Sequence, residues 1–171
     1  MGGCLTRYWD RWRPLDLSWE IRSIVTKGLR LPFLHRPPPL GTRRMKAYTL
    51  QPEEREALGR VVQEYRELGA LEPHPTTQRF WQSPVFGREK KGGKKWRLVT
   101  DLKRLNVHIL NPPFKMEGIK TARETINPGD WVGKIDISNA FFHLPINHAH
   151  QNYLVIEWEG EPLHFTALPF G

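Results

Sequence analysis

The sequence has little cysteine and no long apolar run. Cys4 is the single cysteine among the 171 residues, so no disulfide can form within the chain. One thiol without a partner is typical of proteins from reducing compartments. No apolar run approaches the ~18 residues that a membrane-spanning helix needs, and the first residues lack the apolar core of a secretory signal peptide. We therefore expect an intracellular protein of the cytoplasm or nucleus, not secreted and without a membrane span.

The sequence also lacks the motifs of several common enzyme classes. It contains no internal repeat, no Walker phosphate-binding motif, no Cys/His metal motif and no serine nucleophile elbow. The seven histidines are scattered, without a spacing typical of metal ligands. The positive charge of the chain is its first informative feature.

The positive charge is concentrated in one segment. The formal net charge is +8, and the segment from Arg79 to Arg104 holds nine lysines and arginines against one glutamate and one aspartate. An evenly spread surplus would indicate solubility, whereas a concentrated one indicates a polyanionic partner, most often nucleic acid. Two strand-like runs flank Gly92 and Gly93 within this segment, and adjacent glycines are typical of a tight hairpin turn. The residues alone fit a solvated edge hairpin and a basic flap over a phosphate equally well.

A second informative stretch surrounds Asp136. The pattern from Trp131 to Ile137 predicts a strand, and Ser138 and Asn139 predict a turn directly after it. A carboxylate at a strand end, followed by backbone N–H groups in a turn, suits Mg²⁺ and a triphosphate. A lone aspartate in this position is also compatible with a simple turn or cap.

Local signals predict the remaining elements. We expect a helix over Leu17–Leu29 that ends at Gly28, an exposed connector over Pro32–Pro39, and a helix over Pro52–Leu68. Two further strands, over Tyr153–Trp158 and Leu163–Leu168, are expected to form a hairpin.

Three stretches resemble reverse transcriptases of the LTR-retroelement and DIRS-type group. Lys134–Ile146 resembles motif A of that family, in which an Asp is followed by three residues, an Ala and an aromatic residue. Leu168–Gly171 resembles the start of its motif B, and Ser83–Asn106 resembles its fingers hairpin. The leader from Gly3 to Phe33 is similar to the segment before the polymerase of DIRS-type elements.

This resemblance implies an α+β fold made of fingers and a partial palm with antiparallel strands and a helical N-terminal leader. The implied divisions are 1–48 for the leader and Pro-rich connector, 49–115 for the fingers with the basic hairpin, and 116–171 for the partial palm with motif A and the start of motif B.

The resemblance also implies roles for individual residues. Asp136 is the expected catalytic residue, and with the carbonyl of Ile137 it is an expected ligand of Mg²⁺, of which the complete enzyme uses two ions. The residues expected to contact the incoming dNTP are Lys90, Arg97, Asn139, Ala140, Phe141 and Phe170. Those expected to contact the RNA template and DNA primer are Lys91, Lys94, Lys95, Asp101 and Lys103. Phe141 is the expected gate that separates dNTP from rNTP.

The implied function is RNA-directed DNA polymerisation by two-metal nucleotidyl transfer. Because the family takes further carboxylates from a later Asp-Asp motif that these residues do not include, we expect no polymerase activity from the 171 residues alone. One alternative is a non-catalytic nucleic-acid-binding or interaction module derived from a retroelement. Another is a lipidated peripheral protein, since Met1–Thr6 fits the N-myristoylation pattern. We further expect self-association through a truncated palm that leaves four side chains uncovered, namely Leu154, Ile156, Trp158 and Phe165.

Overall fold

The fold is taken from a computed structural model, which describes residues 2–41, 45–75, 77–89, 95–113, 115–116 and 118–170. In these ranges the chain forms α-helices, two short 3₁₀ helices and antiparallel strands, which confirms the α+β class. The helices are α1 (Trp9–Trp12), α2 (Trp19–Lys27), α3 (Pro52–Glu67), α4 (Lys103–Asn106), α5 (Ile119–Thr125) and α6 (His148–Gln151), and the 3₁₀ helices span Cys4–Tyr8 and Ala140–His143. The strands are β1 (Leu71–Pro73), β2 (Val85–Glu89), β3 (Trp96–Thr100), β4 (Val155–Trp158) and β5 (Glu161–Phe165).

The two predicted long helices are confirmed. Helix α2 begins after Ser18, whose side chain accepts a hydrogen bond from the Ile21 N–H at 3.4 Å, as expected of an N-cap. Helix α3 begins with Pro52 in its first turn and is followed by Gly69 at a φ of +67°. Since a left-handed residue after the last turn terminates a helix, Gly69 ends α3 where the sequence predicts.

The main sheet has three strands in the order β1-β5-β4, all antiparallel. Strands β4 and β5 form the predicted hairpin, which turns at Glu159 and Gly160 with φ values of +50° and +83°. The partner on the other side of β5 is β1, where Leu71 faces Phe165. The chain thus returns, after about ninety residues of intervening sequence, to pair with the strand that follows α3.

Strands β2 and β3 form a separate two-stranded sheet, as the basic segment predicts, with Val85 opposite Thr100 and Glu89 opposite Trp96. Helix α3 holds this hairpin through Glu54, whose Oε1 accepts a hydrogen bond from the Gly87 N–H at 2.8 Å. A Cβ at Gly87 would lie 2.8 Å from the Trp96 ring. The absence of a side chain at Gly87 therefore allows helix and hairpin to approach.

The main sheet and α3 enclose one hydrophobic core. The prediction that Leu154, Ile156 and Phe165 lie uncovered is wrong, because they are 2%, 0% and 1% exposed. Trp158, the fourth side chain of that prediction, is half-buried against the same core. The physical reason is that β5 pairs on both sides and that the buried face of α3 packs into the core formed by the two predicted strands.

The strand predicted over Trp131–Ile137 is not formed. A strand needs a neighbour, and within the described part of the chain no backbone hydrogen bond involves residues 131–137. Trp131 and Ile135 are accordingly 100% and 92% exposed. The structure also forms the short helix α5 just before this stretch.

The leader and the connector pack onto the core. Leu29 forms an isolated parallel bridge with Ile146. Within the connector, Pro38 is buried and its carbonyl accepts a hydrogen bond from the Tyr153 hydroxyl at 3.1 Å, so the prediction of an exposed connector is wrong at this residue. Among the helices of the described ranges, none combines the length and the apolarity that a membrane crossing requires.

Candidate functional site

A cavity of about 380 Å³ brings together residues from four separate parts of the sequence. Its walls are one face of α3, the start of β3, the stretch from Asp136 to Phe141, and Phe170 near the C-terminus. Most of the lining is polar. The α3 face contributes Val61, Glu64 and Tyr65, and β3 contributes Trp96 and Arg97. We refer to this space as the central cavity.

The stretch after Asp136 turns sharply, as the sequence predicts. Asn139 adopts a φ of +49°, in the left-handed region that Asn tolerates better than most residues. The Phe142 N–H then donates to the Asn139 carbonyl at 2.8 Å, and the 3₁₀ helix follows. Phe142 is fully buried, whereas its neighbour Phe141 is 47% exposed at the cavity. The Phe142 ring is thus buried in the core, while the Phe141 ring borders the central cavity.

Phe170 contacts two other residues with predicted roles toward the nucleotide, Arg97 and Phe141. The rings of Phe141 and Phe170 meet edge to face with centroids 5.1 Å apart. The guanidinium carbon of Arg97 lies 5.3 Å from the centroid of the Phe170 ring, within the range of a cation–π interaction. Because the three residues come from β3, the 3₁₀ helix and the C-terminal segment, the contact depends on the tertiary fold.

Asp136 lies at the edge of the central cavity with an exposed side chain. Its carboxylate makes no hydrogen bond or ion pair with any described residue, and the exposed Ile137 follows it. Carboxylate and carbonyl oxygens are the ligands that Mg²⁺ prefers, so these two residues fit a part of a magnesium site. No group of three or more His, Cys, Asp or Glu side chains with metal-binding geometry occurs among the described residues.

The predicted nucleic-acid contacts are only partly described. Lys90, Lys91 and Lys94 lie outside the described residues, and Lys95 and Lys103 are exposed. Asp101 is engaged within the protein. Its Oδ2 accepts from the Tyr48 hydroxyl at 2.7 Å, and its Oδ1 accepts from the Lys103 N–H at 3.2 Å. These bonds, led by that of Tyr48, hold the pKa of Asp101 below its usual range, and the same bond raises the pKa of Tyr48.

Sequence comparison relates the chain to retroviral polyproteins. It is 32% identical over 135 residues to the Endogenous retrovirus group K member 9 Pol protein of Homo sapiens, covering 78% of the chain and 10% of that protein. It is 27% identical over 135 residues to the Gag-Pol polyprotein of Avian reticuloendotheliosis virus, covering 75% and 12%. A third relative is the Gag-Pro-Pol polyprotein of Sheep pulmonary adenomatosis virus, with 31% identity over 99 residues, 58% of the chain and 5% of the polyprotein.

The chain is homologous to a region of retroviral Pol polyproteins. It therefore derives from a retroelement. It spans between 5% and 12% of the length of these three relatives. No protein-family model matches it.

Among the residues to which sequence reasoning gave no role in this Pol-derived chain are three with notable contacts, two in the central cavity and one beside Asp101. Glu64 and Tyr65 of α3 line the central cavity, and Tyr65 also packs edge to face on Phe142 at 4.5 Å. Burial, followed by the nearby Glu64 carboxylate, raises the pKa of Tyr65 to about 12. Tyr48 is the third, since it holds Asp101. The apolar stripe of α3 includes Tyr65, but its periodicity does not show which part of the stripe borders a cavity.

Proposed function

We propose that this chain forms the fingers and the first part of the palm of a reverse transcriptase, an RNA-directed DNA polymerase, and that the central cavity receives the incoming dNTP. The observation that carries the proposal is the convergence of Arg97, Asp136, Phe141 and Phe170 on one space. The resemblance assigns all four to the nucleotide or its metal, although Arg97 and Phe170 are far in sequence from the stretch that holds Asp136 and Phe141. Homology to Pol polyproteins supports the same conclusion.

Each residue has a distinct part in the proposed reaction. Arg97 offers a planar, permanently charged guanidinium to the α-phosphate and base, and its contact with Phe170 limits the directions in which it can point. Phe141 occupies space beside the sugar, where a 2′-hydroxyl would collide with the ring. The backbone of Asn139 and Ala140 borders the same space and would face the triphosphate.

Asp136 and the Ile137 carbonyl would hold Mg²⁺, which supplies charge neutralisation for the triphosphate and activation of the attacking 3′-hydroxyl. The protein's contribution is to keep the Asp136 carboxylate at the cavity edge, where no described residue pairs with it. Further carboxylates would complete a two-ion site.

The surface around Tyr48 suits the nucleic acid that such an enzyme copies. The Tyr48 ring is 47% exposed and meets the Phe86 ring at 5.8 Å. The guanidinium of Arg88 lies 5.7 Å from the Phe86 centroid, and Arg104 lies 5.9 Å from that of Trp81. Aromatic rings interleaved with cations favour stacked bases and their phosphates. A non-catalytic nucleic-acid-binding module would also use this surface, but it would not need the central cavity.

The proposal is tested by nucleotide binding to the purified chain. Calorimetric titration with a dNTP and Mg²⁺ should give measurable affinity that Arg97→Ala and Asp136→Asn each weaken. Since a charge-assisted hydrogen bond contributes about 1.5–3 kcal/mol, we expect a loss of roughly ten- to a hundredfold for Arg97→Ala.

Arg60→Ala is the matched control, because Arg60 is exposed on α3 and pairs with Glu56 away from the central cavity. Equal affinity for Arg97→Ala and Arg60→Ala would refute the placement of the nucleotide. Nucleic-acid binding that persists without any nucleotide binding would favour the non-catalytic module.

A further inference from the structure

The first residues of the N-terminal leader contact the segment that follows the Ser138–Asn139 turn of the central cavity. The Gly3 N–H donates to the Phe142 carbonyl at 2.8 Å. The neighbouring Cys4 places its Sγ 2.9 Å from Nδ1 of His143. Both Cys4 and His143 are half-buried, so the contact is partly shielded from water. The leader thus contacts both the backbone and a side chain of the 3₁₀ helix Ala140–His143.

The end of α2 holds the same segment a few residues further on. The Leu29 N–H donates to the Pro145 carbonyl at 2.7 Å, and the Asn147 N–H donates to the Leu29 carbonyl at 2.9 Å. The Asn147 side-chain amide also donates to the Lys27 carbonyl at 2.8 Å. Residues 142–147 are therefore fixed to the leader at both ends, which gives His143 a defined position.

His143 links the leader to the cavity turn. Its Nε2 lies 3.1 Å from the Ser138 carbonyl oxygen, five residues earlier in the chain. Because a carbonyl can only accept, Nε2 must carry the hydrogen. In the neutral ring Nδ1 is then an acceptor, and the Cys4 thiol donates to it. The Ser138 contact therefore selects the tautomer, and the Cys4 contact is compatible with it, because a thiol can donate.

We propose that His143 is a positioning residue of the central cavity, which fixes the Ser138–Asn139 turn through the Ser138 carbonyl while Cys4 of the leader holds its ring. This role in nucleotide binding rests on the function proposed above. Asn139 occupies the left-handed region, a conformation that the surrounding contacts must maintain. No other hydrogen bond from a described side chain reaches the Ser138 carbonyl. Loss of the His143 bond should let the turn sample other conformations and weaken nucleotide binding.

Two amide substitutions test the contacts of the two His143 ring nitrogens separately. His143→Gln places an amide nitrogen near the position of Nε2, so it keeps a donor for Ser138. His143→Asn places its amide near the position of Nδ1, so it keeps a neighbour for Cys4 but cannot reach Ser138. We expect His143→Asn to weaken binding of Mg²⁺ and dTTP about three- to tenfold, the size of one hydrogen bond. We expect His143→Gln to stay within about twofold of the unmodified chain.

Hydrogen exchange of the backbone amides at 138–142, without nucleotide, gives a second measurement that does not depend on the proposed function. Exchange should be faster in His143→Asn than in His143→Gln, and faster in Cys4→Ala than in Cys4→Ser, whose hydroxyl can still donate to Nδ1. The cysteine pair keeps the test open if His143→Asn does not fold. Absence of dTTP binding by the unmodified chain, combined with these exchange differences, would refute the nucleotide site but retain the positioning role. Equal exchange within both pairs would overturn the positioning role.

Discussion

Phe141 and Phe142 are adjacent in sequence but differ sharply in burial. Substitution of Phe142 should therefore mainly lower stability, whereas substitution of Phe141 should mainly affect the central cavity. Phe142 is 0% exposed. Its ring contacts Tyr65 with centroids 4.5 Å apart and Phe170 at 5.6 Å. Replacing a buried Phe by Ala costs about 3–5 kcal/mol, of which each aromatic pair accounts for about 0.5–1.5 kcal/mol. Since a domain is stable by only ~5–15 kcal/mol, Phe142→Ala should remove a large part of the free energy of unfolding.

Phe141→Ala should have a much smaller effect on stability. The ring is 47% exposed, so about half of the ~1.5–3 kcal/mol for burying such a side chain is at stake, roughly 1 kcal/mol. Its contact with Phe170 is also solvent-accessible at the cavity. The functional effect should be the larger one, because removal of the ring opens space beside the sugar and should reduce the preference for dNTP over rNTP.

Urea unfolding followed by far-ultraviolet circular dichroism measures both changes. The expected order of midpoints is unmodified chain, Phe141→Ala, Phe142→Leu and Phe142→Ala, with an unchanged dependence of the free energy on urea concentration. Phe142→Leu keeps most of the volume and should cost about 1.5 kcal/mol. Equal midpoints for Phe141→Ala and Phe142→Ala would refute the assignment of the two faces of the 3₁₀ helix.

Three further predictions follow from the described contacts. Burial lowers the pKa of His74 and of His164, so the unfolded chain binds more protons than the folded chain below about pH 6.5. The melting temperature should therefore be highest above that pH and fall on acidification. Identical melting temperatures at pH 5 and pH 7.5 would contradict this. Glu54→Gln should weaken the docking of the hairpin by about 1–2 kcal/mol, because the Gly87 N–H loses a charged acceptor at 2.8 Å, whereas Glu53→Gln, at an exposed neighbour, should not change the urea midpoint. Since Trp131 and Ile135 are almost fully exposed, their side chains should promote self-association; joint replacement by Ser should reduce it in sedimentation experiments, and an unchanged state of association would contradict this role.

The elements that the sequence predicts correctly are those with local signals. Gly28 ends α2, as the sequence predicts. Pro52 and Gly69 mark the two ends of α3. The hairpins β2–β3 and β4–β5 connect strands that are close in sequence, and Glu159 and Gly160 supply the positive φ values of the second turn. Such features need only neighbouring residues, so one sequence is enough to find them.

The failures concern contacts between distant residues. The stretch Trp131–Ile137 has the alternation of a strand, but whether it forms one depends on a neighbour that local pattern cannot supply. The pairing of β1 with β5 is equally invisible in the sequence, and it is the reason that Ile156 and Phe165 are buried rather than uncovered. The contact of Cys4 with His143 joins residues 139 positions apart, and no periodicity or spacing indicates it.

The site itself was predictable only in part, for the same reason. Resemblance to the polymerase family selects Arg97, Phe141 and Phe170 from the sequence, and the structure places them in contact. It does not select Glu64, which lines the same cavity from α3. Comparison with a motif finds only the residues within that motif. Glu64 lies on α3, which contains no such motif, and it lines the site because of the way that helix packs.

Glu64 changes what the central cavity can bind. The described charged side chains on its walls are one guanidinium, Arg97, and two carboxylates, Glu64 and Asp136. Toward a free triphosphate, the attraction of Arg97 would be offset by repulsion from these two described carboxylates. A triphosphate that carries its own divalent cation reverses the balance, because the cation faces the carboxylates while the phosphates face the guanidinium. If the central cavity has the proposed function, these described charges favour a metal–nucleotide complex over a bare nucleotide, which is the form of substrate that nucleotidyl transfer requires.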